Sequence, residues 1–189
     1  MWLFGAINKR GDSRKLAKEL LGYAVAQIWG IQTLPNIAVA KEGKPWFPEY
    51  PDYHFNLSHS GPYVLCGLAM NPIGVDIEAA VDRGNRLALY ILNLTELARY
   101  SESSDKVGLL HTFWTLKESY VKCTGEGITY PFQAAMKATV FDIESDGAIM
   151  SNRDGFMFGT FSGNGWNASV CVKGKTEMSP IKWVVASEI

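Results

Sequence analysis

The sequence contains three cysteines among 189 residues, and no two of them are close together. Cys66, Cys123 and Cys171 form no CxxC pair and have no Cys/His ligand spacing. This arrangement suggests neither a disulfide framework nor a zinc site. We therefore expect three reduced cysteines in or near the core, as is usual for a cytoplasmic protein.

Long apolar runs are also missing, since none approaches the roughly 20 residues that a membrane-spanning helix needs. The apolar stretch at residues 1–7 is about one strand long, and Lys9, Arg10 and Arg14 follow it. A signal peptide has the opposite order, with charge first and a longer apolar stretch behind it. We expect no membrane association and a cytoplasmic location.

Neither sign of charge is in excess, because 18 Lys and Arg residues face 19 Asp and Glu residues, a formal net charge of −1. The sequence thus lacks the basic field that binding to nucleic acid or an anionic membrane requires. Hydrophobic residues make up 47% and charged residues 20%, the balance of a soluble globular protein. Any anionic ligand must be held by a local cluster of positive groups.

Strand and helix patterns alternate along the chain and predict an α+β fold. Asp12 or Ser13 can begin the first helix and Gly30 can end it. The pattern divides the chain into an N-terminal half, residues 1–72, and a C-terminal half, residues 73–189. The predicted strands lie at 2–8, 63–70, 73–78, 139–143, 156–161, 168–172 and 181–185, and the later helices at 82–100, with a restart near Thr95, and 108–123.

Residues 73–78 read Ile-Gly-Val-Asp-Ile-Glu, the alternation of a strand with one apolar face. Gly74, Asp76 and Glu78 share the other face, where the bare glycine leaves space beside two carboxylates roughly 6.5–7 Å apart along the backbone. Two acids on one face call for a positive group between them. A hard divalent cation such as Mg²⁺, with positions open for phosphate oxygens, fits that need. The alternative is a solvent-facing amphipathic strand.

The longest predicted helix carries Trp114, Glu118 and Lys122 at four-residue spacing, so the three side chains project from one side. Glu118 can serve as a third oxygen ligand or as a general base, and Lys122 as a phosphate anchor. The alternative is an exposed Glu–Lys pair that contributes a few tenths of a kcal/mol to the helix.

Residues 56–60 read Asn-Leu-Ser-His-Ser. Ser58 and His59 do not form a nucleophile and its base, because adjacent residues of an extended segment point to opposite faces, and no G-x-S-x-G elbow is present. We expect a polar turn whose hydroxyls and imidazole bind phosphate oxygens. The alternative is a capping segment.

Together, these segments closely resemble the signatures of the 4′-phosphopantetheinyl transferases. The matching residues are Gly43-Lys44-Pro45, then 56–60, 74–78 and 113–127, in the order and approximate spacing of the Sfp-type. The resemblance implies two pseudo-symmetric α+β halves in one chain, with the active site between them. It also implies a monomer, because each chain then supplies both sides of its own site.

The resemblance further implies Mg²⁺-dependent transfer of 4′-phosphopantetheine from coenzyme A to a serine of an apo acyl or peptidyl carrier protein. The other product is 3′,5′-ADP. An acidic carrier would dock near residues 83–100, which include Arg86 and Arg99. The implied residues are Asp76, Glu78 and Glu118 for the metal; Arg14, Lys44, Pro45, Ser58, His59 and Lys122 for coenzyme A; and Glu118, Lys122 and His59 for catalysis.

Two other hypotheses use the same residues. The first is a different Mg²⁺-dependent phosphotransfer or phosphohydrolase enzyme, which needs no carrier protein. The second is a non-catalytic relative that only binds coenzyme A or a carrier, and the compact N-terminal half favours it. Against the second hypothesis, Asp76, Glu78, Glu118 and Lys122 all have side chains that suit the catalytic chemistry. Whether Glu118 would accept the serine proton directly or through a water molecule stays open.

Overall fold

A computed structural model describes residues 1–8, 11–125, 132–144, 147–185 and 188–189. Lys9, Arg10, Glu126 and Gly127, on which parts of the sequence interpretation fall, lie outside these ranges. The strands are β1 (Trp2–Ile7), β2 (Ala38–Val39), β3 (Pro45–Trp46), β4 (His54–Ser60), β5 (Tyr63–Ala69), β6 (Ile73–Ala79), β7 (Phe141–Ile143), β8 (Ile149–Ser151), β9 (Phe156–Gly163), β10 (Trp166–Lys173) and β11 (Ile181–Val184). The helices are α1 (Ser13–Trp29), α2 (Gly84–Ile91), α3 (Leu94–Glu102), α4 (Lys106–Thr124) and α5 (Phe132–Ala138).

The first sheet has the order β11-β1-β5-β4 and carries α1 on one face. Asp12 caps α1 by accepting the Arg14 N–H, and Gly30 ends it in the left-handed conformation at φ 70°, as the sequence predicted. β11 pairs in parallel with β1. The last strand therefore joins the sheet of the N-terminal half, and the division at residue 72 stays a proposal.

The second sheet has the order β6-β10-β9 and packs against α4. Its inner face, with Ile73, Val75 and Ile77, lies against the first sheet and shares a buried core with Leu3 and Leu65. The layers are therefore helix α1, first sheet, second sheet and helix α4. The predicted α+β class is confirmed.

The structure departs from the sequence interpretation in several local elements, among them the short strands β2, β3 and β8, which were not predicted. The expected polar turn at residues 56–60 is part of strand β4, because Phe55 is buried in the core and the segment pairs along its length with β5. The restart between α2 and α3 lies at Asn93, not Thr95, since Asn93 and Glu96 form a reciprocal capping box. Helix α5 was not predicted at all.

Gly74 faces α4, but the space beside it is not open. A Cβ atom at this position would lie 2.1 Å from the carbonyl oxygen of Ser119 and 2.3 Å from the backbone nitrogen of Cys123. The missing side chain thus lets the helix backbone approach the strand. This corrects the expectation that the missing side chain of Gly74 leaves space beside the two carboxylates.

The three cysteines are free and buried, as expected. In the described ranges, no helix combines the length and the apolar character needed to cross a membrane.

Candidate active site

A cleft of about 350 Å³ lies where three elements meet. They are β4, which is the edge strand of the first sheet, β6 of the second sheet, and helix α4. A neighbouring cleft of about 290 Å³ shares Leu57, Glu118 and Lys122 with it. The acidic cleft is lined by Leu57, Ser58, His59, Asp76, Glu78, Trp114, Glu118 and Lys122. The fold thus gathers most of the residues that the sequence selected from three separate segments.

Side chains of β4 join it to β6, an arrangement that sequence reasoning missed. The Val75 N–H donates to Asn56 Oδ1 at 2.9 Å, and the Ile77 N–H donates to Ser58 Oγ at 3.2 Å. Asn56 and Ser58 are both buried, so these bonds satisfy amides of β6 that would otherwise be unpaired. The polar motif therefore aligns the two sheets at the cleft.

Asp76 is the most buried acid of the cleft, at 4% exposure. Ser58 Oγ and Lys122 Nζ donate to its Oδ1 at 2.9 and 2.6 Å. Its Oδ2 is buried, and no polar atom of the described chain hydrogen-bonds to it. Burial raises the pKa of Asp76; Lys122 opposes that shift and the nearby Glu78 adds to it. This unpaired carboxylate oxygen is therefore available as a ligand for a cation.

Glu78 is two residues after Asp76, on the same face of β6, and its carboxylate accepts three hydrogen bonds. Its Oε2 accepts from Ser60 Oγ and Arg83 Nη2, both at 2.6 Å, and its Oε1 accepts from Trp114 Nε1 at 3.1 Å. The sequence interpretation gave none of these donors a role at Glu78. Ser60 could have been found, because Ser58 and Ser60 on β4 have the same two-residue spacing as Asp76 and Glu78.

Glu118 reaches the cleft from α4 and is 8% exposed. Burial raises its pKa from 4.5 to about 7; the charges of Asp76 and Glu78 add to the shift, and Lys122 opposes it. No side chain of the described segments hydrogen-bonds to its carboxylate. Glu118 therefore has the pKa of a group that exchanges protons near neutral pH.

This shift predicts the pH dependence of stability in the presence of a chelator. The folded protein holds a proton on Glu118 that the unfolded chain releases above its ordinary pKa of 4.5, so the free energy of unfolding falls as pH rises toward about 7. We expect a loss on the order of 2–3 kcal/mol between pH 4.5 and 8, measured by urea denaturation with EDTA.

The matched variant for this experiment is Glu118→Gln, which removes the titrating group. It should show a clearly smaller decline over the same pH range. An equal decline in both proteins would assign the pH dependence to other groups.

The remaining predicted site residues lie in different surroundings. His59 is exposed at the cleft while its neighbour Ser58 is buried, which agrees with the rejection of a Ser–His pair. Lys44 and Pro45 line the neighbouring cleft. The Lys44 ammonium donates to the carbonyls of Ile73 at 3.1 Å and Cys123 at 2.5 Å, and burial lowers its pKa.

Arg14 is exposed in the first turn of α1 and is not among the residues that line either cleft. Its contact with coenzyme A stays a prediction.

Within the described ranges, no group of three or more His, Cys, Asp or Glu side chains forms a ready-made metal cluster. Three carboxylates nevertheless face one cleft, and Asp76 Oδ2 is buried without a partner among the described residues. Carboxylate oxygens are among the ligands that Mg²⁺ prefers in proteins. The residues of the cleft therefore fit a hard divalent cation.

Residues 72–171, more than half of the chain, match the model of the family described as "4′-phosphopantetheinyl transferase superfamily". The chain belongs to this superfamily. The matched span includes β6 and α4, and therefore the three acids and Lys122.

Curated members of the superfamily include sequence relatives of the chain. It is 34% identical over 94 residues to the 4′-phosphopantetheinyl transferase Sfp of Bacillus subtilis (strain 168), covering 49% of this chain and 42% of the relative. It is 32% identical over 125 residues to the 4′-phosphopantetheinyl transferase gsp of Aneurinibacillus migulanus, covering 62% and 52%. The chain spans about half the length of the curated relatives it matches.

Among solved structures, holo-[acyl-carrier-protein] synthase from Neisseria meningitidis matches with a TM-score of 0.47 and 17% identity, covering 55% of this chain and 98% of that one. The Helicobacter pylori synthase, solved in complex with coenzyme A, matches with a TM-score of 0.45 and 17% identity, covering 54% and 99%.

Proposed function

We propose that this superfamily member transfers 4′-phosphopantetheine from coenzyme A to a serine of an apo acyl or peptidyl carrier protein, with Mg²⁺. The observation that carries the proposal is the meeting of Asp76, Glu78, Glu118 and Lys122 in one cleft between the sheets. This combination supplies oxygen donors for a metal and a cation for phosphate. The names of the sequence relatives support the same activity.

In the proposed reaction the carrier serine oxygen bonds to the β-phosphorus of coenzyme A, and the bond from that phosphorus to the bridging oxygen breaks. The departing group is 3′,5′-ADP. Glu118 accepts the serine proton directly or through a water molecule. Lys122 sits where negative charge develops on the phosphate oxygens and stabilises it. Mg²⁺, held by Asp76, Glu78 and Glu118, would supply further charge stabilisation at those oxygens.

The neighbouring cleft supports binding of coenzyme A beside the acids. Lys44 and Pro45 line it, and it adjoins the acidic cleft at Glu118 and Lys122. A ligand lying across both clefts places its pyrophosphate next to Lys122 and its adenine end near Pro45. Ser58 and His59 border the phosphate position, and Arg14 is proposed for the 3′-phosphate.

Helices α2 and α3 support the docking of an acidic carrier. Leu89, Tyr90 and Leu94 are 61%, 42% and 86% exposed, and Arg86 lies among them. Leu92, in contrast, is fully buried in the core. An apolar surface with a basic residue suits a partner that combines acidic and apolar side chains.

We further propose that the protein acts as a monomer in the cytoplasm. In this proposal residues 1–72 hold the nucleotide and residues 73–189 hold the metal.

The test is intact-mass spectrometry of a panel of apo carrier proteins incubated with this protein, coenzyme A and Mg²⁺. We expect at least one carrier to gain the mass of one phosphopantetheine. The gain should disappear with EDTA, or when the acceptor serine of the carrier is replaced by alanine. Hydrolysis of coenzyme A without any modified carrier would favour a phosphohydrolase, and neither reaction from folded protein would contradict both activities.

A further inference from the structure

Arg83 donates to Glu78 from a loop whose backbone is fixed on both sides. The loop joins β6 to α2, and Arg83 is the residue before the first residue of the helix. Three contacts fix the loop: the Ala80 N–H donates to Gly165 O at 2.9 Å, His111 Nε2 lies 2.8 Å from Val81 O, and the Gly84 N–H donates to Asp82 Oδ1 at 2.8 Å. The loop backbone therefore holds Arg83 beside Glu78, while the guanidinium is free to change its partner.

The three donors to Glu78 differ in charge. Ser60 and Trp114 are neutral, whereas the Arg83 guanidinium carries a positive charge 2.6 Å from the carboxylate. A carboxylate has about four lone-pair sites, so Glu78 can keep the two neutral donors and still bind a cation. Arg83 is the donor that repels an incoming divalent cation and competes with it for the same carboxylate.

The Arg83 side chain also has access to solvent, since it is 38% exposed while the Glu78 side chain is 14% exposed. A partly exposed guanidinium paired with an acid of the cleft can turn from that carboxylate to a phosphate, because its planar fork matches both groups. Lys122 donates to Asp76, the other acid of β6, at 2.6 Å. Each acid of β6 thus has its own cationic partner.

We propose that Arg83 makes metal binding at the cleft depend on the phosphate-bearing substrate. Before a divalent cation binds, Arg83 is the counter-ion of Glu78. When the cation arrives together with the pyrophosphate of the substrate, the guanidinium leaves Glu78 and binds a phosphate oxygen. Arg83 then weakens binding of the metal alone and strengthens binding of the metal with the nucleotide. The second half of this proposal rests on the proposed function.

The test compares two affinities in Arg83→Gln and in the unaltered protein. We expect Mn²⁺ alone, followed by electron paramagnetic resonance, to bind on the order of tenfold more tightly to the variant, because one opposing charge is gone. Coenzyme A titrated calorimetrically at saturating Mn²⁺ should bind on the order of tenfold more weakly, because one charged hydrogen bond to phosphate is lost. A residue with a purely structural role would not strengthen Mn²⁺ binding and weaken coenzyme A binding when it is replaced.

The matched control is Lys18→Gln, which removes one positive charge from an exposed part of α1, and both affinities should stay within about twofold. If Arg83→Gln does not unfold cooperatively, Arg83→Lys replaces it. That variant keeps the charge and loses the fork, so it should bind Mn²⁺ as the unaltered protein does and coenzyme A more weakly.

Two unchanged affinities, or two that move in the same direction, would overturn the proposal. Failure of the unaltered protein to bind coenzyme A at all would overturn the proposed function and the substrate half of this inference. A tighter Mn²⁺ site in Arg83→Gln would still support the counter-ion role in that case.

Discussion

Replacing Glu118 by glutamine is expected to lower phosphopantetheine transfer by at least about 10³-fold while leaving the fold intact. The substitution keeps the shape of the side chain and removes both its charge and its ability to accept a proton. In the proposed reaction both are needed at the reacting phosphorus, so a loss of this size matches the removal of a proton acceptor together with a charged oxygen donor. The measurement is the rate of carrier modification at saturating coenzyme A and Mg²⁺.

Stability supplies the internal control for this variant. Because burial and like charges raise the pKa of Glu118, glutamine should leave the chelated protein at pH 8 as stable or more stable, by up to about 2 kcal/mol. Glu19→Gln, on an exposed part of α1, should leave activity unchanged and lower stability by no more than a few tenths of a kcal/mol, since it removes only an exposed pair with Lys15. A Glu118→Gln protein with full transfer activity would remove this residue from the mechanism.

The acids of the candidate site were selected from the sequence by the resemblance to the transferase signatures, and simple periodicities add only which of these side chains share a face. Alternation puts Asp76 and Glu78 on one face of β6, and four-residue spacing puts Glu118 and Lys122 on one side of α4. The structure brings all four to one cleft. What periodicity does not give is which face of the strand meets which side of the helix.

The partners of the acids were harder to predict, because they arise from strand register and loop geometry. Ser58 and Ser60 reach Asp76 and Glu78 only because β4 lies beside β6 in a particular register. Arg83 reaches Glu78 only because a loop turns the chain back toward its own strand. Contacts of this kind depend on tertiary packing and leave little trace in local composition.

Lys117 shows the same limit within a motif that was recognised. The sequence analysis assigned this lysine no role, and its side chain is fully buried. Its ammonium pairs with the buried Glu96 at 2.9 Å and donates to the carbonyls of Met136 and Thr139. A buried lysine needs such partners, and the sequence alone did not indicate them.

Replacing Gly74 by alanine is expected to destabilise the protein by at least about 3 kcal/mol, the upper part of the range for overpacked cores. The added Cβ would lie 2.1 Å from Ser119 O and 2.3 Å from the Cys123 nitrogen. Both are backbone atoms of α4, so no rotamer change can relieve the contact. The strand and helix would have to separate, and that movement would displace Asp76 from Lys122. Urea denaturation measures the loss.

A second glycine-to-alanine change distinguishes this contact from the general effect of the substitution. Gly22 lies inside α1, and a Cβ there meets only Leu34 Cβ at 3.9 Å, an ordinary contact. Gly22→Ala should therefore stabilise the protein by about 0.5–1 kcal/mol, because alanine favours helix and restricts the unfolded chain. If Gly74→Ala were as stable as the unaltered protein, α4 could not lie this close to β6. The close approach that brings Glu118 and Lys122 over the two acids of β6 would then have to be wrong.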